Sequence, residues 1–181
     1  AILSRFGQPS LRVADMGTGT GAIALALAIE RPRWHISAFD IQPDAVALAQ
    51  ENAHQLGLPV TVGQSHWCDA LADHSLDLLV SNPPYIAADD VHLQQGDVRF
   101  EPLTALVAAE DGLADIRILI EQGRRVLAPG GWLFLEHGWT QGKAVRGCFE
   151  NHGYGSVATV QDMGGRDRVS FGQWNPLAGS L

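Results

Sequence analysis

Hydrophobic positions along the chain fall into two alternating rhythms. Short apolar runs of strand length recur at residues 11–16, 34–39, 60–62, 76–80 and 132–135. Between them, apolar residues return every three or four positions, the helical spacing. This holds for residues 22–30, which Pro32 stops, and for the stretch from Pro43 to Gly57, which places Ala45, Val46, Ala49 and Ala53 on one face. It also holds for residues 113–127, through Leu113, Ile116, Ile120 and Leu127, and for residues 144–149, in a helix ending near Gly153. Residues 157–160 and 169–171 flank Met163-Gly164-Gly165 and read as a closing hairpin. Strands alternating with helices predict a single α/β domain over residues 1–174, with a mostly parallel sheet and a loose tail at residues 175–181. Residues 81–104 show neither rhythm, and a connection that long in a compact domain is usually functional.

Composition narrows the classes of function. The chain has 181 residues, and its 46% hydrophobic and 18% charged content suits one well-buried core. No apolar run is long enough to span a bilayer, and the first residues lack the layout of a signal peptide. With 12 Lys and Arg against 20 Asp and Glu, the net charge is −8, which speaks against sequence-independent nucleic-acid binding. The two cysteines, Cys68 and Cys148, form no stapling framework, so a reducing cytoplasm is the expected setting. The seven histidines show no metal-ligand spacing, and no metal is expected.

Chemistry concentrates at two strand ends. The first strand runs into Asp15-Met16-Gly17-Thr18-Gly19-Thr20-Gly21 and then a helix. A glycine-rich turn between strand and helix lets backbone N–H groups approach a ligand where a Cβ would collide. Asp40, at the end of the second strand, is placed to accept hydrogen bonds from two ribose hydroxyls. Gly17, Gly19 and Ala22 also satisfy a dinucleotide fingerprint, so an NAD-dependent oxidoreductase is a competing reading. Asp15 and the alternating glycines favour S-adenosylmethionine, because an acid there complements an ammonium group and repels a pyrophosphate. The fourth strand runs into Ser81-Asn82-Pro83-Pro84-Tyr85. Two prolines stiffen this segment and remove N–H donors, leaving carbonyls to face a pocket. The Asn82 side-chain oxygen and the flat Tyr85 ring complete a receptor for a planar –NH2 group.

Asn82-Pro83-Pro84-Tyr85 resembles the signature of class I methyltransferases that modify amide or exocyclic amino nitrogens. Together with residues 17–21, Asp40, the stretch from Gln94 to Pro102, Glu101-Pro102…Ala105-Leu106 and Asp111-Gly112-Leu113, it is similar to the peptide-chain release factor glutamine methyltransferases (HemK/PrmC family). The resemblance runs from about Val13 to Trp174. It implies a class I S-adenosylmethionine-dependent methyltransferase fold, Rossmann-like, with a seven-stranded sheet, parallel except for an antiparallel last strand, and helices on both faces. The implied activity is methyl transfer to the N5 amide of the glutamine in the Gly-Gly-Gln motif of release factors, with S-adenosylhomocysteine as product. Gly17 to Gly21 would wrap the methionine part of the cofactor, Asp40 its ribose and Trp67 its adenine. Asn82, Pro83, Pro84 and Tyr85 would hold the substrate amide, with Asn82 and Pro83 its hydrogen acceptors and Asn82 also beside the cofactor. Two departures stand out. His66 occupies the position where many relatives carry an acid before the aromatic, and the family's N-terminal helical domain is not in this sequence. A ribosomal-protein glutamine methyltransferase and an adenine-specific nucleic-acid methyltransferase share parts of the pattern. Glu101 is a candidate for capping or orienting the Asn82 loop, Glu136 for either a structural role or a direct substrate contact at the same pocket, and Cys68 reads as an ordinary packed thiol.

Overall fold

The computed structural model describes residues 2–84, 86–87, 107–108 and 112–176. Seven strands form one sheet: β1 (Arg12–Met16), β2 (His35–Asp40), β3 (Thr61–Gln64), β4 (Leu76–Ser81), β7 (Leu127–Glu136), β8 (Tyr154–Gln161) and β9 (Asp167–Trp174). Their spatial order is β3-β2-β1-β4-β7-β9-β8. β9 pairs antiparallel with both β7 and β8, and every other pairing in the sheet is parallel. The last strand is therefore the one reversed strand, as the resemblance implies, and it lies between its two neighbours instead of at the sheet edge.

Alternation along the strands assigns the two faces. Val13, Ile36, Ala38, Leu78, Val80, Phe134 and Phe171 point to one side, where they meet Ala24, Leu27 and Ala28 of α2 (Ala22–Glu30). Phe6, just past the short α1 (Ile2–Arg5), joins this side edge-on to Trp34, Trp132 and Phe134. Ala14, Met16, Leu79, Leu133 and Leu135 point to the other side. They meet Ile116, Leu119 and Ile120 of α4 (Ala114–Val126) and Val145 and Phe149 of α5 (Gly142–Asn151). α3 (Pro43–Gln55) has proline in its first turn and buries Ala49 and Ala53, in keeping with the expected apolar face.

Three features depart from the sequence reading. β7 starts at Leu127, five residues before the expected Trp132, because Leu127 already pairs with Leu76 and a register shift there absorbs the Pro129-Gly130-Gly131 segment. A single 3₁₀ turn, Trp67–Ala70, follows β3. Within and just beyond the aperiodic stretch, β5 (Ile86–Ala87) pairs in parallel with β6 (Val107–Ala108), a match too short to leave a periodic signal. The expected tail falls mostly outside the described residues, as do Tyr85, Gln94 to Pro102 and Glu101. Among the described residues, no helix is long and apolar enough to cross a membrane.

On the α4 face, Tyr154 sits edge-on to Phe149 and donates its hydroxyl to the Ile120 carbonyl at 2.9 Å. Gly123 makes room for it: a Cβ there would lie 2.5 Å from the Tyr154 oxygen and 3.3 Å from Leu133. Gly123→Ala is expected to destabilise the fold by about 1–3 kcal/mol through overpacking. The sign opposes the ~1 kcal/mol that alanine gains over glycine in a helix interior. Urea unfolding midpoints check this, and Tyr154→Phe in the same chain should recover part of the loss.

Candidate active site

Strand order reverses at β1 and β4. The chain passes from β1 out to β2 and β3, then returns to the far flank of β1 as β4. In an open parallel sheet, the loops leaving such a pair diverge and open a crevice beyond the carboxyl ends of the strands. Here Met16 pairs with Ser81, so Gly17 and Asn82 leave the sheet side by side. The buried Ser81 hydroxyl donates to the Met16 carbonyl at 2.6 Å and fastens the two exits together. The two sequence motifs thus share one edge of the sheet.

The glycine turn owes its shape to backbone conformations that side chains resist. Gly17, Gly19 and Gly21 have φ of 66°, 56° and 83°, all left-handed. The Gly21 N–H donates to the Thr18 carbonyl at 2.9 Å, and the Gly21 carbonyl accepts the first turn of α2 from Leu25 at 2.8 Å. The exposed Thr20 carbonyl accepts from the Asn52 side chain of α3 at 2.9 Å. Thr18 points inward, and its hydroxyl donates to Asp15 Oδ2 at 2.6 Å. The same oxygen accepts the Ala24 N–H at 3.2 Å.

One oxygen of Asp15 thus braces the turn. The residue is 1% exposed and clamps strand, turn and helix together. Its second oxygen, Oδ1, is buried without a hydrogen-bond partner among the described residues. Burial raises its pKa to about 7, and the Asp40 charge adds to the rise against the opposing pull of Thr18 and Ala24.

Asp40 is held differently. Its Oδ2 accepts the Gly19 N–H and its Oδ1 the Gln42 N–H, each at 2.9 Å. Two backbone donors fix the carboxylate plane, and each oxygen keeps a further lone pair for a vicinal diol. The Thr18 N–H donates to Phe39 and the Ser65 N–H to Asp40, both at 3.0 Å, stitching the ends of β1, β2 and β3 into one rim.

Trp67 completes the rim. Its φ of 43° is left-handed, a conformation that costs a bulky L-residue roughly 1–2 kcal/mol. The Ser65 hydroxyl holds it there, donating to the Trp67 carbonyl at 2.6 Å and accepting from the Ala70 N–H at 3.1 Å. This twist brings the indole over the turn, 3.5 Å from where a Gly17 Cβ would sit. A Cβ there would make ordinary contact with the ring, so it is the left-handed backbone angle that calls for glycine at 17.

His66, where an acid was expected, is exposed and lies 3.5 Å from Asp69. Asp115, in the first turn of α4, stands near both His66 and Trp67; burial raises its pKa while His66 and a hydrogen bond from Trp67 oppose the rise. Asn52, Ser65, Asp69 and Asp115 are the site residues that sequence reasoning missed. Of these only Asp69, three positions after His66, leaves a trace in the sequence; the others reach the site from separate elements.

On the other side of the crevice, Asn82 is exposed, Pro83 buried and Pro84 half-buried. The Asn82 side chain makes no hydrogen bond among the described residues, so its amide oxygen is available as an acceptor. Tyr85 lies outside them. Cys68 is an ordinary packed thiol: it is fully buried, and desolvation raises its pKa to about 12.

Taken together, these residues fit S-adenosylmethionine. A turn whose Cβ positions are vacated, a carboxylate set by backbone donors for a diol, an indole beside the turn and an unpartnered buried oxygen match its methionine, ribose, adenine and ammonium parts. Among the described residues, no group of three or more His, Cys, Asp or Glu could hold a metal.

Asp15 also makes a testable contribution to stability. A raised folded-state pKa means that the folded chain binds this proton more tightly than the unfolded one. Its contribution is fully present below about pH 4 and is lost as pH rises through 7. Asp15→Asn removes the titration, so variant stability minus parent stability is expected to increase between about pH 4 and about pH 7 and to level off above that. Urea unfolding across that range checks it, and a difference independent of pH contradicts it.

The model of the methyltransferase small domain matches residues 1–99. Release factor glutamine methyltransferase of Escherichia coli is 56% identical over 173 residues, covering 95% of this chain and 62% of that protein. The protein of the same name from Salmonella typhimurium is 53% identical over 175 residues, covering 96% of this chain and 63% of that protein. The chain thus spans less than two thirds of the length of these relatives. Among solved structures, a methyltransferase from Pyrococcus furiosus superposes with a TM-score of 0.74 at 17% identity, over 96% of this chain and 79% of that one. A SAM-dependent methyltransferase from Aquifex aeolicus gives 0.67 at 21% identity, over 96% and 87%. The fold is that of the class I methyltransferases, and the chain belongs to the methyltransferase small domain family.

Proposed function

We propose that this chain transfers a methyl group from S-adenosylmethionine to the side-chain amide nitrogen of the glutamine in the Gly-Gly-Gln motif of peptide-chain release factors. The observation that carries the reading is the pairing of Met16 with Ser81, which sets an exposed Asn82 beside the cofactor-shaped turn. The name shared by relatives at 53–56% identity supports the substrate. The net charge of −8 favours a protein partner over a nucleic acid.

A glutamine amide nitrogen is a poor nucleophile because its lone pair is delocalised into the carbonyl. Removing a proton from it outright at neutral pH is too costly. The Asn82 side-chain oxygen and the Pro83 carbonyl accept its two hydrogens and favour a pyramidal nitrogen whose lone pair is available. Pro83 and Pro84 keep these acceptors in place, because proline fixes φ and offers no N–H to compete. Gly17 to Gly21 and Thr18 wrap the methionine part, Asp40 binds the ribose and Trp67 lies against the adenine. When bound, the cofactor supplies an electrophilic methyl group on a positively charged sulfur. Fixed carbonyl dipoles stabilise positive charge as it moves towards the nitrogen, and such preorganisation is typically worth several kcal/mol. Holding the nitrogen in line contributes through orientation. The amide proton departs to water during or after transfer, because a nitrogen that carries both the new methyl group and positive charge is strongly acidic, so no strong base is required.

Mass spectrometry of a release factor incubated with this chain and labelled S-adenosylmethionine tests the reading. A single methyl on the Gly-Gly-Gln glutamine is expected, and methylation of another residue type overturns it. Two variants separate the two halves of the site. Asn82→Ala is expected to lower kcat by about 100-fold or more while cofactor affinity stays within a few-fold. Asp40→Ala is expected to weaken cofactor binding by at least about tenfold through loss of charge-assisted hydrogen bonds. Single-turnover kinetics and calorimetric titration read the two effects.

A further inference from the structure

Past β7 the chain leaves the sheet through His137-Gly138-Trp139, and beside it β8 turns into β9 across residues 162–166. Glu136 pairs with Val169 in the antiparallel register, so both loops emerge at the edge that carries Asn82. Ser81 pairs with Leu135 and Leu135 with Ser170. The hairpin therefore stands two strands from Asn82, about 10 Å at ordinary strand spacing. Trp139 is 58% exposed and Met163 wholly so. The Arg166 guanidinium lies 5.7 Å from the Trp139 ring centroid and bridges the two loops.

Single exposed apolar side chains are ordinary. What distinguishes these is the buried polar apparatus beneath them. His137 and Ser170 are completely buried. His137 Nδ1 is 2.9 Å from the Gly138 carbonyl, which can only accept, so Nδ1 carries the proton. Nε2 then accepts from the Ser170 hydroxyl at 2.8 Å. Ser170 in turn accepts from Thr159 at 2.7 Å, and Thr159 accepts from Arg146 at 2.7 Å. Arg146 also pairs with Asp167 at 3.5 Å.

The loops are tied to each other as well. The His137 N–H donates to the Arg168 carbonyl at 2.9 Å. The Arg168 guanidinium reaches Asp162 at 3.4 Å. Asp162 Oδ1 accepts the N–H groups of Gly164 and Arg166 at 2.9 and 3.1 Å. Gly142, opening α5, admits no Cβ, because Asp167 Oδ2 would lie 2.5 Å from it. A network satisfied at every link rigidifies what it holds. Here it holds two exposed loops in a fixed relation at the mouth of the crevice.

We propose that Trp139, Met163 and Arg166 form a docking surface for the folded protein substrate, outside the pocket that takes its glutamine. The occupant is the face of the release factor beside its glutamine loop, and this inference rests on the function proposed above. A single carboxamide offers little binding energy, so a protein that presents one needs contacts beyond the pocket. Whatever delivers a glutamine to Asn82 meets this edge of the sheet. Trp, Met and Arg are the residue types enriched in interface cores. Met163 adapts to an irregular apolar partner surface. Arg166 is a cation in a chain of net charge −8 and calls for an acidic side chain next to that apolar contact.

The test titrates a release factor into this chain in the presence of S-adenosylhomocysteine, so that binding is read apart from methyl transfer. Trp139→Ala, Met163→Asp and Arg166→Glu are each expected to weaken release-factor binding by about tenfold or more. Affinity for S-adenosylmethionine should stay unchanged and serves as the folding control. Met163 touches solvent alone, so its variant keeps the test decisive even if Trp139→Ala loses structure. Release-factor binding at parental strength by the Met163 and Arg166 variants overturns the proposal, as does failure of the parent chain to bind. Binding that is weakened by the variants but never followed by methylation supports the surface and rejects the activity.

Discussion

The site depends on one constraint, the parallel register of β1 against β4. Because Met16 lies beside Ser81, the cofactor-shaped turn and the amide-accepting segment leave the sheet as neighbours. A slip of one residue would turn either Ala14 or Leu79, both now on the α4 side, towards α2, and the buried cores on both faces oppose that. The Ser81 hydroxyl adds a local lock on the Met16 carbonyl. Packing of the interior thus sets the geometry of the crevice, and the loops inherit it.

From that register outward, polar side chains convert strand ends into a shaped rim. Asp15 organises the turn from below, through Thr18 and Ala24. Asp40 organises it from the side, through Gly19. The two acids differ because their surroundings differ. One is sealed in and drawn towards neutrality, whereas the other is anchored by backbone donors at the rim. Trp67 adds a strained backbone angle at the same rim, and Ser65 holds it by two hydrogen bonds. Strain of this kind persists where surrounding structure overdetermines it, which is the ordinary condition of a binding site.

Much of this was legible in the sequence, for identifiable reasons. Strand and helix rhythms mark the sheet because each element has a buried face, and the glycine turn and Asn82 segment stand at strand ends where breakers cluster. The early start of β7 was hidden, because Pro129-Gly130-Gly131 reads as a stop while the Leu127 pairing is decided across the sheet. The bracing role of Asp15 was hidden, since adjacency in sequence to a ligand turn does not reveal what else a side chain holds. Asn52, Ser65 and Asp115 escaped notice because their roles arise from tertiary placement. The His137 to Arg146 chain is assembled from three elements and the connection after β7, and no spacing announces it.

The central claim is spatial: rigid acceptors face a bound cofactor across a gap that fits a carboxamide. A crystal structure of this chain with S-adenosylhomocysteine and a Gly-Gly-Gln peptide tests it most directly. The account predicts the glutamine amide nitrogen within about 3 Å of both the Asn82 side-chain oxygen and the Pro83 carbonyl, with the cofactor sulfur on its far side. A cofactor seated away from Gly17–Gly21, or a glutamine bound elsewhere than beside Asn82, would contradict it.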